Sequence, residues 1–242
     1  MATGASLPAW ADQGQYRIRF QWGPVAAPAL SEGACVVVDV LRFTTTVEAA
    51  VSRGVIVYPY RWRDATAAAF AEDVQALLAD GHDPAGPSLS PLSMDALAPG
   101  TSLVLPSPNG STCAVLAAGA GAQVVAGCLR NAAAVAAWAD RAQGPVTVIA
   151  CGERWPDGSL RPSLEDLLGA GAILGAMTGE PSPEARAATA AFRDAAHRLP
   201  EVLSECASGR ELTGKGQAAD VSYAARLNAS TTVPMLTDGA FR

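Results

Sequence analysis

The chain has 242 residues, half of them apolar and 17% charged, with a formal net charge of -6. That balance describes a globular protein with a sizeable core and excludes a disordered one. The acidic surplus argues against nucleic-acid or anionic-membrane binding, which needs a basic face, and an anionic partner would need a local basic pocket.

The N-terminal MATGASLPAWADQ has no basic region followed by an apolar core, so no signal peptide is expected. Tyr16 to Gly23 alternates like a strand with one buried face. Ala34 to Val40 is continuous and β-branched, as in a central strand covered on both sides. A helix is predicted over Thr44–Arg53, with Gly54 as its C-cap. The strand VIVYPY follows, then a helix over Asp64–Ala79 with Asp64 as N-cap. Asp80 to Ser93 reads as a long loop by its Pro, Gly and Ser content, and loops of that length are often functional. Strands at Ser102–Leu105, Gln123–Ala126 and Val146–Cys151 alternate with helices at Ser111–Ala118 and Asn131–Arg141. GERWPDGSLRPS is a second irregular stretch. Helices are predicted at Leu164–Met177, Pro183–Leu199 and Glu201–Ala207, a loop at SGRELTGKGQ, a helix at Ala218–Leu227 and a last strand at TTVPML. This alternation predicts one α/β domain over residues 1–242, three-layer α/β/α, around a largely parallel or mixed sheet. Two lobes stay open, with no boundary marked. No stretch reads as a membrane span, and homo-oligomerisation is open. The five scattered cysteines form no CxxC pair, so reduced core thiols of a cytoplasmic protein are expected.

In such a sheet the ligand lies beyond the carboxyl ends of the strands. Three strand exits carry more polar groups than turning requires. In DVLRFTTTVEAA, Asp39 can hold a divalent cation or attack phosphorus, Arg42 can pair with phosphate oxygens, and Thr44 and Thr45 open a helix whose first amides favour an anion. An internal Asp39–Arg42 ion pair with Thr44 as a simple N-cap would explain the same residues. In LVLPSPNGSTCAV, Asn109-Gly110 tolerates left-handed backbone, so amides could converge on an anion with the hydroxyls of Ser107, Ser111 and Thr112 beside them. An ordinary strand-to-helix turn is the alternative. In CGERWPDGSLRPSLEDLLGAGAI, Glu153 and Arg154 follow a strand directly, and Glu165 and Asp166 open a helix. Carboxylates from separate loops around an oxygen-rich ligand suit Mg²⁺. A Ser163–Asp166 capping box explains the last two equally well.

Lys215 is the only lysine, so cationic work falls to arginine, whose planar fork suits oxyanions. There is no P-loop, dinucleotide fingerprint or nucleophile elbow, nor a cysteine-phosphatase or haloacid-dehalogenase signature. His82 and His197 offer no histidine-centred site.

Taken together and in this order, the three stretches, with CLRNAAAVAAWA between them and ADVSYAARLNASTTVPML near the end, resemble the 2-phosphosulfolactate phosphatase (ComB) family from about Cys35 onward. The resemblance implies that family's layered fold and a Mg²⁺-dependent hydrolase of 2-phospho-hydroxycarboxylates, releasing sulfolactate towards coenzyme M in methanogens. By position it implies roles for Asp39, Arg42 and the threonines after it; Asn109, Gly110 and the hydroxyls after them; and Glu153, Glu165 and Asp166. One region departs: the family's Asn-Ser-Pro run reads Leu89-Ser90-Pro91 here, and its acidic-basic element is eroded, so substrate choice is expected to lie in residues 80–93. The expectation is a phosphatase with Asp39 and Glu153 on the metal, and Arg42 and residues 109–112 on the phosphoryl oxygens. A phosphatase of a different small phospho-acid and a non-catalytic phosphometabolite-binding protein are the alternatives.

Overall fold

The apolar run Ala34–Val38 is buried along its whole length, as a strand with helices on both sides must be. The computed structural model describes residues 8–29, 33–81 and 86–242. The chain runs through β1 (Ile18–Trp22), β2 (Ala34–Val38), α1 (Phe43–Val51), β3 (Ile56–Tyr60), α2 (Ala65–Asp73) and the short β4 (Leu77–Leu78). A 3-10 segment at Pro91–Ala96 precedes β5 (Ser102–Pro106), α3 (Gly110–Gly119), β6 (Gln123–Gly127), α4 (Ala132–Arg141) and β7 (Val146–Ala150). A small hairpin follows, β8 (Glu153–Arg154) and β9 (Leu160–Arg161), then the helices α5 (Leu164–Leu174), α6 (Pro183–Ala195), α7 (Leu199–Glu205), α8 (Ala207–Gly214) and α9 (Ala218–Ala224). A last hairpin, β10 (Leu236–Thr237) and β11 (Ala240–Phe241), ends the order.

Four parallel strands lie in the order β1-β7-β2-β6, and a second, mixed sheet in the order β10-β11-β3-β5-β4. Residues 234–242 form the seam between them. The Ala126 amide donates to the Pro234 carbonyl at 3.0 Å, while Met235 and Arg242 exchange backbone hydrogen bonds of 2.8 and 3.0 Å. At one outer edge, β1 is bridged by Pro181; at the other lies the two-residue β4.

Alternation along β2 builds the two cores. Val36 and Val38 face a cluster with Val135 of α4, Leu168 and Ile173 of α5 and Ala188 of α6. Cys35 and Val37 face the opposite cluster, with Phe43 and Val47 of α1, Cys113 and Ala114 of α3, and Leu103 and Leu105 of β5. The fold is thus α/β with helices on both sides of the sheets, as expected. All five cysteines are buried free thiols. Among the described residues no helix is long and apolar enough to cross a membrane.

Four expected elements differ. The helix predicted to reach Ala79 stops at Asp73, because Gln75 turns through a positive φ of 52° and Leu77–Leu78 pairs with β5 instead. GERWPDGSLRPS contains the β8–β9 hairpin, closed around Pro156-Asp157-Gly158. SGRELTGKGQ is largely helical as α8, capped by the Cys206 sulfur, which accepts from the Gly209 amide at 3.3 Å. The TTVPML strand shrinks to the seam. His82 lies outside the described residues, and His197 is exposed in the short turn between α6 and α7.

Candidate active site

β2 delivers Asp39 to the carboxyl edge of the parallel sheet, and the turn after it is fixed from within. The Thr44 hydroxyl accepts from the Asp39 amide at 3.0 Å and donates to the Asp39 carbonyl at 2.8 Å. Thr45 donates to the Val40 carbonyl at 2.7 Å. Both threonines are fully buried, so they shape the turn rather than present hydroxyls to a ligand.

The Asp39 carboxylate is also nearly enclosed. One oxygen accepts from the Phe43 amide at 3.0 Å, the other from the Gly110 amide at 3.1 Å. Gly110 reaches it because α3 lies across β2, β3 and β6 and returns its N-terminus to the β2 exit. The anion seated at the Asn109-Gly110 turn is therefore the protein's own carboxylate. Neither residue needs left-handed backbone; Asn109 has φ -97° and Gly110 is outside the positive-φ set. The Ser107 hydroxyl accepts a second bond from the Gly110 amide at 3.2 Å, and Ser111 donates to the Leu105 carbonyl at 3.2 Å. Thr112 is buried beside them.

Glu153 approaches from the β7 exit. Its carboxylate accepts from the Asn109 side-chain amide at 3.0 Å, so Asn109 links the second and third strand exits. Burial and the neighbouring Glu153 raise the Asp39 carboxyl to about 7, although the Phe43 and Gly110 amides oppose the shift. Burial raises Glu153 as well, against the Asn109 bond, with Glu165 adding to the rise and Arg161 reducing it.

Asp166 braces this arrangement. One of its oxygens accepts from the Val40 amide at 2.7 Å, and the other from the Gly152 amide at 2.9 Å and the Ser163 hydroxyl at 2.8 Å. It ties α5 to the exits of β2 and β7. The expected capping box is absent: Ser163 donates to Asp166, and no side chain caps α5. Gly152 turns there with φ 67°, and a Cβ would sit 2.9 Å from the Arg161 carbonyl. The buried Glu165 accepts from the Cys206 thiol at 3.4 Å.

Arg42 does not pair with Asp39. It forms an ion pair with Asp220 of α9, whose other oxygen accepts from Ser90 at 2.6 Å. Arg154 is exposed on the hairpin and donates to the Gly158 carbonyl at 3.1 Å, and Trp155 at the hairpin tip is half-exposed. The CLRN stretch is structural. Arg130 pairs with the buried Glu48 at 2.7 Å and stacks on Tyr223, and Asn131 donates to the Thr232 carbonyl at 2.9 Å, beside the seam.

Asp220 and Arg161 belong to the site's surroundings, and the sequence reading passed over both. Arg161 is legible in retrospect, since Glu153 and Arg161 flank a Pro-Asp-Gly turn at hairpin distance and pair across it. Asp220 carries no local signal.

Among the described residues no group of three or more carboxylate, thiol or imidazole side chains forms a ready metal site. The chemistry of the donors nonetheless fits a hard cation. Asp39 and Glu153 offer only oxygen, and burial holds both carboxyls above their ordinary range, with Glu153 adding to the rise at Asp39; a divalent ion would favour their charged forms.

The burial of Asp39, with Glu153 beside it, sets a pH dependence. The folded value of Asp39, about 7, lies above its ordinary 3.8, so the folded state binds the proton more tightly. The resulting stability is fully present below the ordinary value and lost as pH rises through about 7. In chelator, Tm is expected to fall between about pH 5 and about pH 8, with a shallower fall in Asp39→Asn. Equal slopes in thermal melts of the two proteins would show that Asp39 is not the titrating group.

A sequence model of the 2-phosphosulpholactate phosphatase family matches residues 25–239. A curated 2-phosphosulfolactate phosphatase from Methanothermobacter thermautotrophicus is 29% identical over 217 residues, spanning 86% of this chain and 88% of that protein. The family match covers most of the chain, including Asp39, the Asn109-Gly110 turn, the Glu153 hairpin and α5, and the chain belongs to the 2-phosphosulpholactate phosphatase family.

Proposed function

We propose that the chain is a Mg²⁺-dependent phosphatase of 2-phospho-hydroxycarboxylates, with 2-phosphosulfolactate as substrate and sulfolactate and phosphate as products. The observation that carries this reading is the pair Asp39 and Glu153, brought from two parallel strand exits to the same turn and held there by adjacent residues, the Gly110 amide on Asp39 and the Asn109 side chain on Glu153. Asp39 and Glu153 would hold the ion, which when bound neutralises charge on the phosphoryl oxygens. Asp39 stays in one place because two amides and the threonine turn hold it, so reaction requires no reorganisation of the group. Asp166 keeps the β2 and β7 exits in register, and Asn109 sets the Glu153 carboxylate. A different 2-phospho acid is the second reading, favoured by Leu89, which stands where the family pattern has Asn and lines the neighbouring cavity beside Ser90.

Phosphate release from 2-phosphosulfolactate and phospholactate, measured before and after chelation, tests both readings. Turnover is expected with Mg²⁺, loss on chelation and recovery on re-addition. Preference for phospholactate would select the second reading. Saturable binding without turnover would make the protein a binder, and full activity after thorough chelation would remove the metal from the proposal.

A further inference from the structure

A cavity of about 1040 Å³ opens beside the Asp39 turn, between the β3–α2 connection and residues 86–93. Its wall includes Arg42, Arg63, Ser90, Pro106 and Gln217. Two arginines on one concave surface are notable in a chain whose net charge is -6.

The two guanidinium groups are not equivalent. Arg42 is committed to its ion pair with Asp220, and its side chain is only 14% exposed. Arg63 is exposed and forms no ion pair among the described residues. Its Nε donates to the Pro106 carbonyl at 3.4 Å, and no described residue accepts from its terminal nitrogens. That bond matters for position. Pro106 ends β5, and the next residue, Ser107, meets the Gly110 amide that holds Asp39. Arg63 is thus fastened to the β5 exit, next to the turn that holds Asp39, and lines the cavity with no partner for its fork among the described residues.

Two carboxylates share this wall. Asp64 is turned back onto its own helix, accepting from the Thr66 amide at 2.9 Å, and Asp80 follows β4. A substrate with a phosphoryl group at Asp39 and a further acid group must direct the latter away from Asp39, Glu153, Glu165 and Asp166, because like charges repel at short range. The cavity wall carries Arg42 of the turn after Asp39 together with Arg63, and a planar guanidinium presents paired donors to a sulfonate or carboxylate.

We propose that Arg63 binds the non-phosphoryl acid group of the substrate in this cavity and thereby sets substrate preference. The proposal rests on the phosphatase reading above.

The test compares wild type with Arg63→Ala and Arg63→Lys. KM and kcat are measured on 2-phosphosulfolactate, phospholactate and p-nitrophenyl phosphate, and sulfolactate binding is measured by calorimetry. Loss of a charged hydrogen-bonding partner predicts a KM increase of about tenfold or more on the acid substrates in Arg63→Ala, at least several-fold beyond any change on p-nitrophenyl phosphate. Lysine should recover part of it. Loss on both acid esters assigns the carboxylate to Arg63, and loss on phosphosulfolactate alone assigns the sulfonate. An equal change on all three esters, or none, overturns the proposal. If wild type hydrolyses no ester, the phosphatase reading falls, and calorimetry decides for Arg63. Sulfolactate binding that is lost in Arg63→Ala upholds the cavity; binding that is unchanged, or absent from wild type, refutes it.

Discussion

Asp39→Asn is expected to lower kcat on 2-phosphosulfolactate by roughly 10²–10³-fold while the protein remains folded. Asparagine keeps the shape of the side chain but loses the charge that a cation or a phosphoryl centre requires. It also places an NH₂ where one of two backbone amides, from Phe43 or Gly110, now donates to an oxygen. That mismatch costs about 1–3 kcal/mol. Removing a buried carboxyl whose charge is disfavoured by burial and by Glu153 offsets part of the cost, so the fold should survive. Phosphate-release kinetics beside thermal melting separate the two effects. Near-normal kcat in a folded variant would make Asp39 an anchor for the turn that follows β2 and nothing more.

Gly110→Ala is expected to damage stability and activity together. A Cβ at this position would lie 2.2 Å from a ring carbon of Phe43 and 2.8 Å from the Asp39 carboxylate. Phe43 has little room to yield, being fully buried and edge-on to Phe241 with ring centroids 6.2 Å apart. Overpacking of this kind costs about 1–3 kcal/mol. Any shift that relieves it moves the N-terminus of α3 and with it Asp39, and a misplacement of about 1 Å can cost on the order of 10² in rate. The sequence suggested that glycine here lets the backbone approach a bound phosphate. The structure gives a different reason, close contact with Phe43 and Asp39, so loss of binding without loss of stability is no longer the expected pattern. A Gly110→Ala protein that melts and turns over like wild type would show that Phe43 repacks freely.

The alternating strands and helices were legible because β2, β5, β6 and β7 are short apolar runs bounded by turn formers. Asp39 and Glu153 stood out for a related reason: charge directly after a buried strand is seldom needed for turning. Contacts between distant segments were hidden. Arg42 reads as a ligand for phosphate oxygens, or else as a partner for Asp39 three residues away, yet it pairs with Asp220, which only the folding-back of α9 supplies. Ser111 and the threonines read as donors to a ligand, because a sequence shows that a hydroxyl is present but not which carbonyl it meets. The helix α8 was missed because its two glycines suggest a loop. One of them, Gly209, instead permits contact so close that a Cβ would fall 1.7 Å from the Leu203 carbonyl.

The seam and the outer strands together bear on how copies of this chain meet one another. Unpaired backbone at a sheet edge is a template onto which another molecule can add a strand. Here the hairpin at residues 234–242 removes the two inner edges that separate sheets would expose. At one outer margin, Ile18 of β1 already exchanges hydrogen bonds with Glu180 and Ser182, at 3.1 and 2.8 Å, around a proline. At the other, β4 extends for two residues only. A protein with this many strands thus leaves little backbone free for fibril-like growth, and it does so by covering and shortening its margins rather than by lining them with lysine, of which it has one.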